Sequence, residues 1–96
     1  MEERNYIIML YDYYKELFNL KQQEYFEDYY FNNLSLSEIS ENVGVSRNAI
    51  HKSIKMVEDK LLFYEEKLKL YNKSKKISEL LTNVSEDIKI KIEELI

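Results

Sequence analysis

Cysteine, proline and tryptophan are absent from this 96-residue chain, and glycine and alanine occur once each. Without cysteine there is no disulfide framework, no thiolate metal site and no thiol chemistry, which fits a reducing cytoplasm. Turns and bulges in sheets consume glycine and proline, so their scarcity predicts an all-α chain. One glycine also excludes a glycine-rich phosphate cradle. One histidine, His51, leaves too few ligands for a metal cluster and too little for a conventional triad. The expectation is a protein with no catalytic residue, no cofactor and no metal. The longest apolar run, Tyr6 to Tyr11, is far shorter than the ~20 residues that cross a bilayer. The start, Met1-Glu2-Glu3, is acidic where a secretory leader would be basic. No membrane insertion is expected.

Isoleucine, leucine, valine and phenylalanine number 30 of 96 residues, enough for a folded chain. The length suits one domain, 1–96, whose core is thin enough that a second copy would help it. Charge is uneven. Residues 1–41 carry a balance of −6 and residues 42–96 one of +2, for −4 overall. Lys67, Lys69, Lys73, Lys75 and Lys76 fall within ten residues that hold no carboxylate. That run reads either as a solvated helix face or as a phosphate-binding patch. Ten of the thirteen aromatic residues lie between Tyr6 and Phe31.

Ile7, Leu10, Tyr14 and Leu17 at helical spacing predict a first helix from about Glu3 to Phe18. Asn19 with Gln22 has the form of a capping box opening a second helix, which Asn32-Asn33 stops. Its tyrosines fit core and rim by spacing alone, with a base-stacking platform as the other reading. Ser35 with Glu38 forms a second box, flanked by Leu34 and Ile39 in the staple positions. The helix that follows runs into Gly44, which takes a left-handed backbone without steric cost. Ser46 then caps another helix, with Val45 and Ile50 as its staple. A short helix, a glycine turn and a second helix make a helix-turn-helix, here Leu36 to Lys55. Small Ser40 sits where the two helices cross.

From Ile50 on, Ile54, Val57, Leu61, Tyr64, Leu68 and Tyr71 alternate by fours and threes, as in a coiled-coil seam. A single helix from Arg47 to Tyr71 would be about 37 Å long. Its second half outruns the motif and needs cover from the first helix, the C-terminal helices or a second protomer. Val57, Leu61, Tyr64, Leu68 and Tyr71 are therefore the candidate homodimer interface. Residues 3–71 form the expected helix-turn-helix core, and residues 72–96 two short helices. One of these carries Ile77, Leu80 and Leu81. The other is capped by Ser85 and carries Ile88, Ile92 and Leu95, with Glu86 and Asp87 favourably placed in its first turn.

With Ile50, Ile54 and Val57 inward, Arg47, His51 and Lys55 share an outward stripe, with Asn48 and Lys52 beside it. In such motifs the start of the second helix enters the major groove, where arginine reads guanine and asparagine reads adenine. Ser46 and the first free amides can hold a phosphate. Ser46, Arg47, Asn48, His51, Lys52 and Lys55 are thus the candidate nucleic-acid contacts. The bland alternative is a helix face that is polar because water touches it. His51 has Arg47 and Lys55 one turn away, which repel cations, so a phosphate or solvent contact fits it better than a metal.

The stretch Ser35-Leu36-Ser37-Glu38-Ile39-Ser40-Glu41, followed by Val43-Gly44-Val45-Ser46-Arg47-Asn48-Ala49-Ile50, resembles the YlxM family of small bacterial helix-turn-helix proteins. Leu20-Lys21-Gln22-Gln23 and Tyr29-Tyr30 look like that family's second helix, so the likeness covers most of the chain and is weakest after about Tyr71. Ser40 stands where an alanine is usual. The motif is also similar to the fourth region of bacterial sigma factors. Genes of the family typically lie beside that of the signal recognition particle GTPase, so the resemblance implies a non-enzymatic accessory or regulatory role in that targeting pathway. It implies as ligand either the particle's RNA or promoter DNA, the latter in a transcriptional regulator. The rival reading is a protein-interaction module that binds the GTPase or its receptor and touches no nucleic acid. A net charge of −4 argues for modest duplex affinity unless dimerisation doubles the basic face.

Overall fold

Three local capping signals set where helices begin. Asn19 accepts the Gln22 amide at 2.8 Å while the Gln22 side chain accepts the Asn19 amide at 3.0 Å, and Ser35 with Glu38 repeats the arrangement at 3.1 and 2.9 Å. Ser46 accepts the Ala49 amide at 3.2 Å. A computed structural model describes residues 2–96; of the acidic start weighed above as a leader, Met1 lies outside them. The helices are α1 (Glu2–Tyr14), α2 (Leu20–Tyr30), α3 (Leu36–Val43), α4 (Arg47–Leu68), α5 (Leu70–Leu80) and α6 (Glu86–Glu93), with one 3-10 turn at Lys15–Leu17. No strand occurs among the described residues.

The first helix is shorter than its apolar spacing predicts. It gives way to the 3-10 turn after Tyr14, and Phe18 is extended and buried. The Gln23 side chain donates to the carbonyls of Lys15 and Phe18, both at 2.9 Å, satisfying acceptors that the helix end leaves open. Helices α1, α2 and α4 enclose the core. Leu10, Tyr11, Phe26, Ile39, Ile50, Val57 and Leu61 are fully or almost fully buried there. Phe26 stacks between Tyr11 and Tyr30, with centroids 4.1 and 4.4 Å away. Tyr11, Tyr14, Tyr25 and Tyr30 are thus core residues. Tyr11 donates to Glu27, and Tyr30 donates to Glu58, so their hydroxyls are partnered.

Two expectations for the seam need correction. Val57 and Leu61 do not face a partner: they are fully buried in the chain's own core, because α1 and α2 pack on that side of α4. Tyr64 and Tyr71 are half-buried against the same core, and only Leu68 is largely exposed. Nor does one helix run to Tyr71. It ends at Leu68, where Lys69 adopts a left-handed backbone, φ 56° and ψ 32°. In an unbroken helix the amides of Leu70, Tyr71 and Asn72 would bond four residues back. Here the Leu70 amide donates to the Tyr14 hydroxyl at 3.1 Å, and those of Tyr71 and Asn72 donate to the two carboxylate oxygens of Glu65 at 3.1 and 3.0 Å. Tyr14 in turn donates to Glu65 at 2.7 Å. A buried carboxylate thereby serves as the N-cap of the next helix and bends the rod.

Beyond the bend, Tyr71 meets the edges of Tyr6 and Tyr13, with centroids 5.8 and 6.0 Å away, which returns α5 toward α1. Leu81 is buried after the end of α5, whereas Leu80 is exposed. Ser85 occupies the N-cap position of α6, but its side chain makes no capping bond there. The molecule is elongated, 52 by 25 by 25 Å.

Candidate nucleic-acid interface

Three residues, Gly44 to Ser46, join α3 to α4. Gly44 has φ 72° and ψ 25°, and its amide donates to the Ser40 carbonyl at 2.9 Å. A Cβ at this position would meet nothing within 4 Å. The glycine is required by its left-handed backbone and not by crowding. Ser40 is half-buried, and its hydroxyl donates across the turn to the Val45 carbonyl at 2.5 Å. Both staples close inward: Leu34 and Val45 pack against the core that holds Ile39 and Ile50. The turn is tied from three sides and fixes how α4 leaves it.

All six candidate contacts, Ser46, Arg47, Asn48, His51, Lys52 and Lys55, are exposed on the first three turns of α4 and its cap. Ser46 spends its hydroxyl oxygen on the Ala49 amide. Lys55 differs from the others, because its Nζ lies 3.2 Å from Asp59. Arg47, Asn48, His51 and Lys52 show no side-chain bond to any described residue. The cationic edge is therefore sharpest at the N-terminal end of the helix and compensated by its third turn. Glu58, next to Asp59, is held by the Tyr30 hydroxyl. On α3, Glu38 is bound into its capping box, and the Ser35 amide and hydroxyl hold its carboxyl below the usual range.

Sequence reasoning passed over two residues that tie α4 and its neighbours together. Arg4 donates to the carbonyls of Tyr29 and Tyr30 at 3.3 and 2.8 Å, and its guanidinium sits 4.6 Å from the Tyr30 ring centroid. It puts positive charge at the C-terminus of α2, whose last turn has no basic residue of its own. With Tyr30, Lys55, Glu58 and Leu62 it lines a cleft beside the third turn of α4. No sequence signal marked Arg4, since its partners lie 25 and 26 positions away. Glu65 was visible only as a carboxylate one turn after Leu61, on the apolar face where a charge is out of place. Among the described residues, no three His, Cys, Asp or Glu side chains converge as a metal site, and no helix is long and apolar enough to cross a membrane.

The profile of the UPF0122 family, described as "Putative helix-turn-helix protein, YlxM / p13 like", matches residues 1–96. The chain belongs to this family. Its relatives include a UPF0122 protein of Caldanaerobacter subterraneus subsp. tengcongensis, 42% identical over 83 residues that make up 86% of this chain and 71% of the relative. One from Ureaplasma urealyticum serovar 10 is 44% identical over 89 residues, 93% of this chain and 90% of the relative. One from Fusobacterium nucleatum subsp. nucleatum is 46% identical over 81 residues, 84% and 79% of the two chains. The family's description is that of a helix-turn-helix protein, and the α3-turn-α4 unit is that motif.

Proposed function

We propose that the protein binds nucleic acid through the first two turns of α4, as a non-enzymatic accessory protein of the signal recognition particle pathway in the cytoplasm. The observation that carries the reading is the exposed, uncommitted set Arg47, Asn48, His51 and Lys52 at the start of a helix held out by the Gly44 turn. Those residue types pair with bases and phosphates. The pathway assignment rests on the family resemblance. The particle's RNA and promoter DNA are the two ligands to compare. RNA would be gripped by shape and phosphates, because its major groove is too narrow for side chains to read.

The test is titration of labelled particle RNA and of a DNA duplex at two ionic strengths. Affinity should fall steeply with salt. Arg47→Ala and Lys52→Ala should weaken it, each phosphate contact lowering the salt slope by about one. Lys55→Ala should do less, since Asp59 already compensates that charge. If neither ligand binds at low salt, the reading fails, and a module that binds the targeting GTPase or its receptor takes its place.

Self-association is proposed on a different surface from the buried seam. Leu70, Leu80, Ile88 and Leu95 are exposed along α5, α6 and just past its end, and a second copy would cover them. Light scattering at tens of micromolar that reports only an ~12 kDa species would remove this part of the proposal.

A further inference from the structure

Past Lys55 the recognition stripe of α4 meets Glu58 and Asp59, and the cations continue along another line. A hundred degrees per residue brings Lys52, Met56, Phe63 and Lys67 into one narrow strip, with Lys60 at its edge. The strip faces water: Phe63 is 53% and Met56 50% exposed, and the three lysines are exposed. The opposite side of the same helix holds the fully buried Val57 and Leu61, so Phe63 is not a core residue. The Lys67 ammonium lies 5.7 Å from the Phe63 ring centroid, and an open groove runs from His51 past Met56 and Lys60 to Phe63. Two carboxylates border the strip on one side. Asp59 is engaged by Lys55, and Glu66 is exposed.

A half-exposed aromatic ring among lysines is the pattern that holds unpaired nucleotides, because every base has a π-face and every nucleotide a phosphate. Paired bases inside a duplex cannot offer that face. We propose that this strip is a second nucleic-acid contact, where an unpaired base stacks on Phe63 while Lys60 and Lys67 take the flanking phosphates. The proposal rests on the reading of α4 as a nucleic-acid helix and narrows its ligand. Arg47 and Phe63 are separated by about 24 Å along the helix axis, roughly seven base pairs of stacked duplex. The ligand is then a short stem that ends in a loop or bulge. An exposed ammonium over a ring is weakly held, so the base displaces Lys67 and leaves it beside the ring for the phosphate.

The experiment uses the full chain and four labelled probes: a hairpin with an unpaired loop and a blunt duplex of the same stem, each made as RNA and as DNA. Phe63→Ala should lower hairpin affinity between about fivefold and a hundredfold, leave the blunt duplex unchanged and keep the wild-type melting curve. Phe63→Trp should restore the hairpin. Arg47→Ala should weaken hairpin and duplex together. The RNA and DNA arms identify which backbone carries the unpaired base, and a Phe63 dependence in either supports the proposal. A Phe63→Ala protein that binds the hairpin like the wild type overturns it, the result expected if a protein segment covers this strip instead. Equal loss of hairpin and duplex by a natively melting Phe63→Ala protein overturns it too. Wild-type protein that binds no probe at low salt defeats the underlying reading as well, which separates the two failures.

Discussion

Glu65→Ala is the substitution that most directly tests how the chain aims its C-terminal half. Glu65 is buried and accepts three hydrogen bonds: from the Tyr14 hydroxyl at 2.7 Å and from the Tyr71 and Asn72 amides at 3.1 and 3.0 Å. Removing the carboxylate deletes the cap of α5, which costs about 1 kcal/mol. It also leaves the buried Tyr14 proton without an acceptor, at a further ~1–3 kcal/mol. The expected loss is about 2–4 kcal/mol, a large part of the roughly 5–14 kcal/mol that a domain of this length has in total. Urea denaturation followed by circular dichroism measures the loss, and hydrogen exchange locates it. Protection of the amides of Leu70, Tyr71 and Asn72 should fall to that of an open helix end. Tyr14→Phe removes the shared hydrogen bond from its other side, so the double variant should cost less than the sum of the two singles. A Glu65→Ala protein within ~0.5 kcal/mol of the parent, or strict additivity with Tyr14→Phe, would refute the reasoning.

Gly44→Ala should cost about 1–2 kcal/mol, the strain of a Cβ at φ 72°. Because open space surrounds that position, a larger loss in urea titration would mean that packing contributes after all. Leu61→Asp should abolish the far-UV helix signal instead of yielding a folded monomer, since the site is fully buried within one chain and an unpaired charge there has no compensation. Alkali should weaken the fold. Burial foremost, and then the bond to Glu65, push the Tyr14 phenol up to about 12, and burial with Glu27 or Glu58 pushes Tyr11 and Tyr30 further up. A raised phenol favours the folded state while neutral, so this stability is intact below pH 10 and is lost as pH climbs from there through the folded values. The urea midpoint should drop over that window, with phenolate absorbance appearing in step. If all nine tyrosines titrated together near their ordinary value in folded protein, the buried hydroxyl network would be wrong.

The helix-turn-helix was legible because each of its signals acts over three or four residues. Asn19 with Gln22, Ser35 with Glu38 and Ser46 with Ala49 all make the predicted capping contacts. Gly44 takes the left-handed backbone foreseen for it. The outward placement of Arg47, Asn48, His51 and Lys52 followed from helical periodicity once Ile50 and Ile54 were assigned to the core. Ser85 stands at the N-cap position expected of it, but the same residue type can hold that position without using its hydroxyl there.

Periodicity showed that Val57 and Leu61 would be covered, and by itself it had no means of naming the cover. A four-three seam looks the same whether a second protomer or the chain's own α1 and α2 fill it, because burial is non-directional and counts area alone. The end of α4 was hidden for a related reason. Every residue from Arg47 to Tyr71 tolerates a helix, and what breaks it at Lys69 is a carboxylate held by a tyrosine 51 positions upstream. Local chemistry thus determined where α2, α3 and α4 start and which face of α4 meets water. Only the packed chain decided what its inner face meets and where the rod bends, because those outcomes depend on hydrogen bonds and contacts between segments far apart in sequence.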